Sequence, residues 1–304
     1  MKKLWLFIVA GLLTAGEAIG QEGNALPFTR IDRNPVTSAF AGAGTAYNGT
    51  AAYSAFGNSA MLPFFNGTLD AALSYQRWAP GLSASNNVSV GAAYRITPRV
   101  GLSLGYTLES GAFYEVYEGP GDPVALFYPK NHVVAFGIGV GITDMISVGT
   151  NIRYAREASA PGQIYDGMSA DLFAGLQLSQ ALRITAGLST LGTLVADTWA
   201  QPASLKAAVN WAPVNIGDHV LDLLADADYY FSGSFSFTAG LQYAWKQILF
   251  LRAGYRLAPE NCVIPAHLGL GLGVRFQGFR LDISYLTASQ LLGNTVNLGV
   301  GYTF

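Results

Sequence analysis

Thr295-Val296-Asn297-Leu298-Gly299-Val300-Gly301-Tyr302-Thr303-Phe304, the end of the chain, is the stretch that decides the fold. Apolar side chains fall on one face, and small or polar ones on the other. A period of two is the mark of a strand whose faces meet different surroundings. Two aromatics, Tyr302 and Phe304, close the apolar face. That is the ending expected of an outer-membrane barrel strand, with its aromatic girdle at the membrane interface.

Working back from there, the pattern recurs. Segments of this kind are expected at 68–77, 85–96, 99–109, 131–142, 145–156, 164–178, 181–189, 203–211, 219–231, 234–244, 247–257, 266–276, 279–287 and 294–304. Fourteen is an even number, as single-chain bacterial barrels require. Leu268, Leu270, Leu272, Val274 and Phe276 oppose His267, Gly269, Gly271, Gly273 and Arg275. A secreted β-sandwich would also alternate, but its outward face would be strongly polar; here the second face is mostly Gly, Ala, Ser and Thr.

Composition agrees. The chain has 304 residues, 51% hydrophobic and only 12% charged. Mean hydropathy is +0.30. Soluble domains carry about 25% charged residues. After the first twenty residues no apolar run is long enough for a spanning helix. Backbone inside hydrocarbon must then pair as a closed barrel. The fold class read from the sequence is therefore all-β: a 14-stranded antiparallel transmembrane β-barrel with an N-terminal lumenal plug.

The expected organisation has three parts. Residues 1–20 read as a signal peptide: Lys2 and Lys3, an apolar run Leu4–Leu13, then Ala18-Ile19-Gly20 before Gln21. Residues 21–66 are rich in Gly, Ala, Ser and Asn and do not alternate, and residues 67–304 carry the strands. A fourteen-strand barrel encloses more space than wall side chains fill, so 21–66 is expected to plug it. Even connections are expected to be short (97–98, 143–144, 179–180, 213–218, 245–246 and 277–278). Odd ones are expected to be longer (78–84, 110–130, 157–163, 190–202, 258–265 and 288–293), with Ser232-Gly233 the one short exception. This places both mature termini in the periplasm of a Gram-negative cell and Cys262 outside. Expected contacts are outer-membrane lipid and the barrel-assembly machinery, which would read Tyr302 and Phe304.

The net charge of −2 gives no reason to expect nucleic acid. One cysteine excludes a thiolate metal cluster. His132, His219 and His267 have no nucleophile or carboxylate fixed beside them by spacing, so no enzyme and no cofactor are expected. Two sets of residues stand out. Inward-facing charges include Arg252, Arg256, Arg275, Arg280, Asp282, Asp222 and Asp226, as well as Asp70, Arg153, Asp171, Arg183, Lys206 and Asp228. In that set Asp282 is expected to relieve the facing pair Arg275 and Arg280. They would form either a wall-to-plug network or a polar path. The loop 110–130 carries Phe113, Tyr114, Tyr117, Phe127 and Tyr128, either as a partner or ligand surface or folded back over the mouth.

The segment Thr37-Ser38-Ala39-Phe40-Ala41-Gly42-Ala43-Gly44, followed by Asn58-Ser59-Ala60-Met61-Leu62, resembles the N-terminal signature of the PorV/PorQ family within the wider FadL-like superfamily. The matching positions are Gly42, Gly44, Asn58, Ala60 and Leu62. Ser59 stands where that family has proline, and Tyr47-Asn48-Gly49-Thr50 stands where acidic residues are common. The resemblance implies a non-enzymatic subunit of a type IX-like protein-secretion complex, bound to cargo or partner proteins. The alternative it implies is a FadL-like passive transporter of hydrophobic small molecules such as long-chain fatty acids. That alternative predicts an apolar outer mouth, a movable plug and a kinked strand where the wall opens sideways.

Overall fold

The computed structural model describes residues 25–81 and 84–304. The signal-peptide reading of 1–20 and the start at Gln21 lie outside the described residues. The strands are β1 (Leu69–Trp78), β2 (Ser85–Thr97), β3 (Val100–Ser110), β4 (Tyr114–Val116), β5 (Ala125–Phe127), β6 (Lys130–Gly141), β7 (Ile146–Ala160) and β8 (Gln163–Gln177). They continue with β9 (Leu182–Gly192), β10 (Ser204–Ile216), β11 (His219–Tyr230), β12 (Phe235–Trp245), β13 (Leu249–Leu257), β14 (His267–Phe276), β15 (Phe279–Thr287) and β16 (Thr295–Thr303). All but β4 and β5 join one closed antiparallel barrel of fourteen strands. It shuts where β16 meets β1, with Leu73 opposite Val300.

Alternation decides which face meets lipid. Leu104, Tyr106, Leu272, Phe276, Leu281 and Val300 point outward and are exposed, while Ser103, Thr107, Asp282 and Asn297 point inward and are buried. In water such an apolar exterior would be unstable; in hydrocarbon it is the favoured state. Short turns gather at the end that also holds the start of β1 and the end of β16. Gln277-Gly278 is one of them, with φ of 49° and 84°, the doubly left-handed pattern that matches strand twist.

Three connections depart from the sequence reading. Residues 157–163 do not form a long loop: β7 and β8 run on to a tight turn at Pro161-Gly162. Polar partners hold that extension, with Tyr154 donating to Asp166 at 2.5 Å. An apolar-alternation reading cannot see such a polar hairpin. Residues 213–218 are not all turn: β10 continues through Pro213, whose missing N–H is absorbed by a bulge between Trp211 and Val214. Loop 110–130 contains its own hairpin of β4 and β5. Cys262 lies in a loop at the opposite end from the short turns, but its side chain is buried.

The segment before β1 runs inside the barrel. Asn34 caps the helical turn Pro35–Ala39 by accepting from the Val36 N–H at 3.1 Å, with Pro35 supplying a preset φ. Asn58 does the same for the 3₁₀ turn Ser59–Phe64, accepting from Ala60 at 2.9 Å. Wall glycines receive these turns. A Cβ on Gly149 would fall 2.6 Å from the Ser59 carbonyl carbon, and one on Gly254 would run into the Phe40 backbone. Apolar clusters then pack between segment and wall, such as Val36, Phe40, Ala43 and Tyr47 with Leu224, and Ala60, Met61 and Phe64 with Phe173.

Candidate functional site

Above the packed turns the lumen keeps a cavity of about 170 Å³ on the side of the longer loops. Its walls come from residues 29–58 of the segment and from the mouth-side parts of the strands, among them Lys206, Asp228, Arg256 and His267. An apolar cluster lies at the mouth. Leu26, Phe28 and Ile31 of the segment pack there with Trp78, Val133, Val195, Ile264, Leu286 and Leu292.

Arg30 ties the segment to the wall. Its guanidinium donates to Ser189 at 2.9 Å, Thr190 at 3.1 Å, Ser204 at 3.1 Å and the Tyr230 hydroxyl at 3.3 Å. Two of those partners, Ser189 and Thr190, sit at an irregularity in the wall. The β8–β9 ladder pairs Ala170 with Leu191 and then Leu172 with Leu188, so two residues of β9 face one of β8. Thr190 adopts a left-handed φ of 59° there. The Asp171 carboxylate takes over part of the ladder, accepting from the Thr190 N–H at 2.7 Å and the Ser189 hydroxyl at 3.1 Å. Such bulges re-aim side chains and loosen pairing locally.

The outer surface next to this break is concave. A groove of about 560 Å³ on the lipid face is lined by Val148, Leu172, Phe173, Ala174, Ala186, Gly187, Leu188 and Leu205. Phe173 borders both the lumenal cavity and this groove. Gly187, its cross-strand partner, leaves room for the ring.

Charge in the segment is perturbed by burial. Asp32 accepts from the Asn34 N–H at 3.0 Å and the Thr37 hydroxyl at 2.9 Å. Desolvation still outweighs these bonds and pushes its carboxyl up to about 6. Among the described residues Arg33 donates to the carbonyls of Ile31 (2.6 Å), Phe28 (2.9 Å) and Thr29 (3.2 Å), and burial lowers its guanidinium to about 10.

The residues singled out in the sequence divide into three groups. Gly42 and Gly44 both take positive φ, at 94° and 151°. The N–H groups of Gly44 and Thr45 donate to Asp226 at 3.1 and 3.0 Å. Asn58 reaches the Thr45 carbonyl at 2.8 Å and the Thr185 hydroxyl at 3.0 Å, while Ala60 and Leu62 are buried against the wall. Among the inward charges, Arg252 pairs with Asp282 at 2.6 Å, and Asp222 accepts from Gln242 at 2.8 Å. The expected role of Asp282 holds on one side only. Arg280 reaches Asp282 at 3.9 Å and pairs closely with Asp70, whereas Arg275 turns to the Gly49 carbonyl at 2.8 Å. The segment supplies an acceptor that strand register could not reveal.

The aromatic loop does not fold over the mouth. Phe113, Tyr114, Tyr117 and Tyr128 are exposed on the β4–β5 hairpin, with Phe113 against Tyr128 and Tyr114 against Phe127 at 5.7 and 5.5 Å. At the other end Tyr302 stacks edge-on with Phe279 and Phe304 at 4.5 and 4.3 Å. The sequence reading passed over Arg30, Asp32 and Arg33. Their signal was present: they are the only charges between Ala25 and Leu69.

No protein-family model matches the chain, and no curated protein is similar to it in sequence. Solved structures do share its fold. The toluene transporter TbuX of Ralstonia pickettii is 13% identical, with a TM-score of 0.62 over 88% of this chain and 97% of that one. The monoaromatic hydrocarbon channel CymD is 13% identical, with a TM-score of 0.61 over 89% and 97%. A FadL homologue of Pseudomonas aeruginosa is 12% identical, with a TM-score of 0.53 over 89% and 98%. At these identities the likeness concerns the fold alone: a closed fourteen-stranded antiparallel β-barrel.

Proposed function

We propose that this barrel is a non-enzymatic, passive conduit of the outer membrane for hydrophobic small molecules. Solute enters the apolar cluster at the mouth and leaves sideways into the bilayer between β8 and β9. The observation that carries this reading is the wall itself. The ladder is broken at Asp171 and Ser189-Thr190, beside a residue, Phe173, that borders both the cavity and the lipid-facing groove. Straight passage is opposed by the segment packed below the cavity, and the polar cavity favours an early exit for an apolar solute. Structures of the same fold include a toluene transporter and a monoaromatic hydrocarbon channel. On this reading the longer loops face the outside, the C-terminus faces the periplasm, and residues 25–66 act as a hatch whose start, at Ala25 beside Ala200, lies at the outer mouth and not in the periplasm as the sequence suggested. The test is uptake of labelled toluene and labelled oleate by cells carrying or lacking the protein. Faster uptake of either with the barrel present is expected; equal rates for both solutes would overturn the proposal.

A second reading has its own support. The exposed rings of the β4–β5 hairpin suit a protein partner, as a subunit of a type IX-like export assembly would require. Purification in mild detergent separates the two: stoichiometric translocon components or secreted cargo favour export, and a lone barrel favours the conduit.

A further inference from the structure

The cavity holds more positive than negative charge, and the surplus is concentrated. Its lining includes five cationic side chains, Arg30, Arg33, Arg153, Lys206 and Arg256, against two carboxylates, Asp32 and Asp228. Arg153 is matched by Asp171 behind the lining. Behind the lining Glu109 lies near Arg33 and Asp226 near Lys206, so the positive surplus is local to the cations gathered around Asp228. Three of the cations converge on one carboxylate: Lys206, Arg30 and Arg256 lie 3.2, 3.6 and 3.8 Å from Asp228. Well-formed pairs of this type close to about 2.7–2.9 Å, so Asp228 is shared among three partners and satisfies none fully. Arg256 Nε has no hydrogen-bond partner among the described residues. Buried charge without a partner is strongly unfavourable, and a bound counterion removes the cost.

We infer that Lys206 and Arg256, with the Tyr230 hydroxyl and the positive charge of Arg30 beside them, form a binding site for a compact dianionic oxyanion. The arginines lie on different elements, one on the segment and one on β13, so an anion between them bridges hatch and wall. Tyr230 already accepts from both, at 3.3 and 3.1 Å. The cavity has room for a phosphate or a short dicarboxylate. The Lys206 side chain keeps 18% exposure where the other charged groups of the cluster keep 2–7%, so solvent reaches the site along it. The site goes beyond the conduit reading and does not depend on it.

The experiment is calorimetric titration of the full-length, detergent-solubilised protein, dialysed free of multivalent anions, with inorganic phosphate and separately with succinate. Saturable binding of one equivalent of either is expected, and the preferred probe identifies the class of anion. Lys206→Gln and Arg256→Gln should each weaken binding at least tenfold, while Lys246→Gln, on an exposed turn, should not change it. Asp228→Asn should tighten binding, because it removes the competing carboxylate; this guards against loss of fold in the cation variants. No saturable binding of either anion to the wild-type barrel would overturn the site. So would unchanged affinity in Lys206→Gln protein that still runs as a heat-modifiable, folded band.

Discussion

Single residues set the fit between segment and wall. The small inner faces of the strands read in the sequence as weak polar faces, but they are the footprint of the segment. Gly149 illustrates this: only hydrogen fits between β7 and the Ser59–Ala60 backbone. Gly149→Leu should therefore expel the 3₁₀ turn from its seat, lowering the thermal midpoint of the folded band and exposing residues 25–66 to protease; an unchanged cleavage pattern would contradict the packing. Asp32 makes a second test through pH. Its carboxyl rises from an ordinary 3.8 to about 6. The native state thus holds its proton more tightly than the unfolded chain does. Stability from the protonated form is fully present below about pH 4 and is lost as pH rises through about 6. The shift corresponds to about 3 kcal/mol at 1.36 kcal/mol per unit. Asp32→Asn keeps the acceptor for Asn34 and Thr37 and removes the charge. It should raise the thermal midpoint above pH 6 and flatten its pH dependence between 4 and 6; a parallel pH profile in both proteins would refute the argument.

Elements were legible where two-fold alternation between lipid and lumen governs, and less so elsewhere. All fourteen barrel strands were readable because lipid on one side forces apolar side chains into every second position. The extended β7–β8 hairpin and the β4–β5 hairpin lie beyond that constraint, so polar and aromatic pairing decided them instead. The break in β9 was not legible, since the residues that make it, Ser189 and Thr190, read as an ordinary strand end. Arg30 is the residue that secures this break to the segment. Arg30→Ala removes four hydrogen bonds from one charged group, each worth about 1.5–3 kcal/mol at most when buried. It should leave the barrel folded but speed both proteolysis of the segment and solute uptake by severalfold. Unaltered uptake would separate Arg30 from the wall opening. At the seam, Phe304 donates its N–H to Leu69 and accepts from Thr68, both at 2.8 Å, and its ring meets Tyr302. Deleting Phe304 should lower the amount of heat-modifiable protein in the outer membrane; normal levels would mean that closure does not need it.

At the scale of the molecule, wall and contents are separate problems in physical chemistry. The wall is held by strand ladders that close on themselves. The contents are held by charge and small-residue packing. Asp70 accepts from the Ala51 and Ala52 N–H groups at 2.7 and 2.8 Å, and Asp226 accepts from Gly44 and Thr45. This is why the cavity escaped the sequence reading while the barrel did not. Alternation specifies which face a residue takes, but not which distant backbone will meet it. The separation makes a prediction about the whole chain. Removing residues 25–66 while keeping residues 1–24 should leave fourteen paired strands around a lumen whose inward charges are free to hydrate, since a barrel of this width is too wide for its own side chains to fill. In planar bilayers the truncated barrel should conduct ions continuously, whereas the intact protein should stay closed or open only briefly. A folded truncated barrel that stays silent would show that the wall collapses inward without its contents, and that the segment is structural filler for the barrel and no hatch.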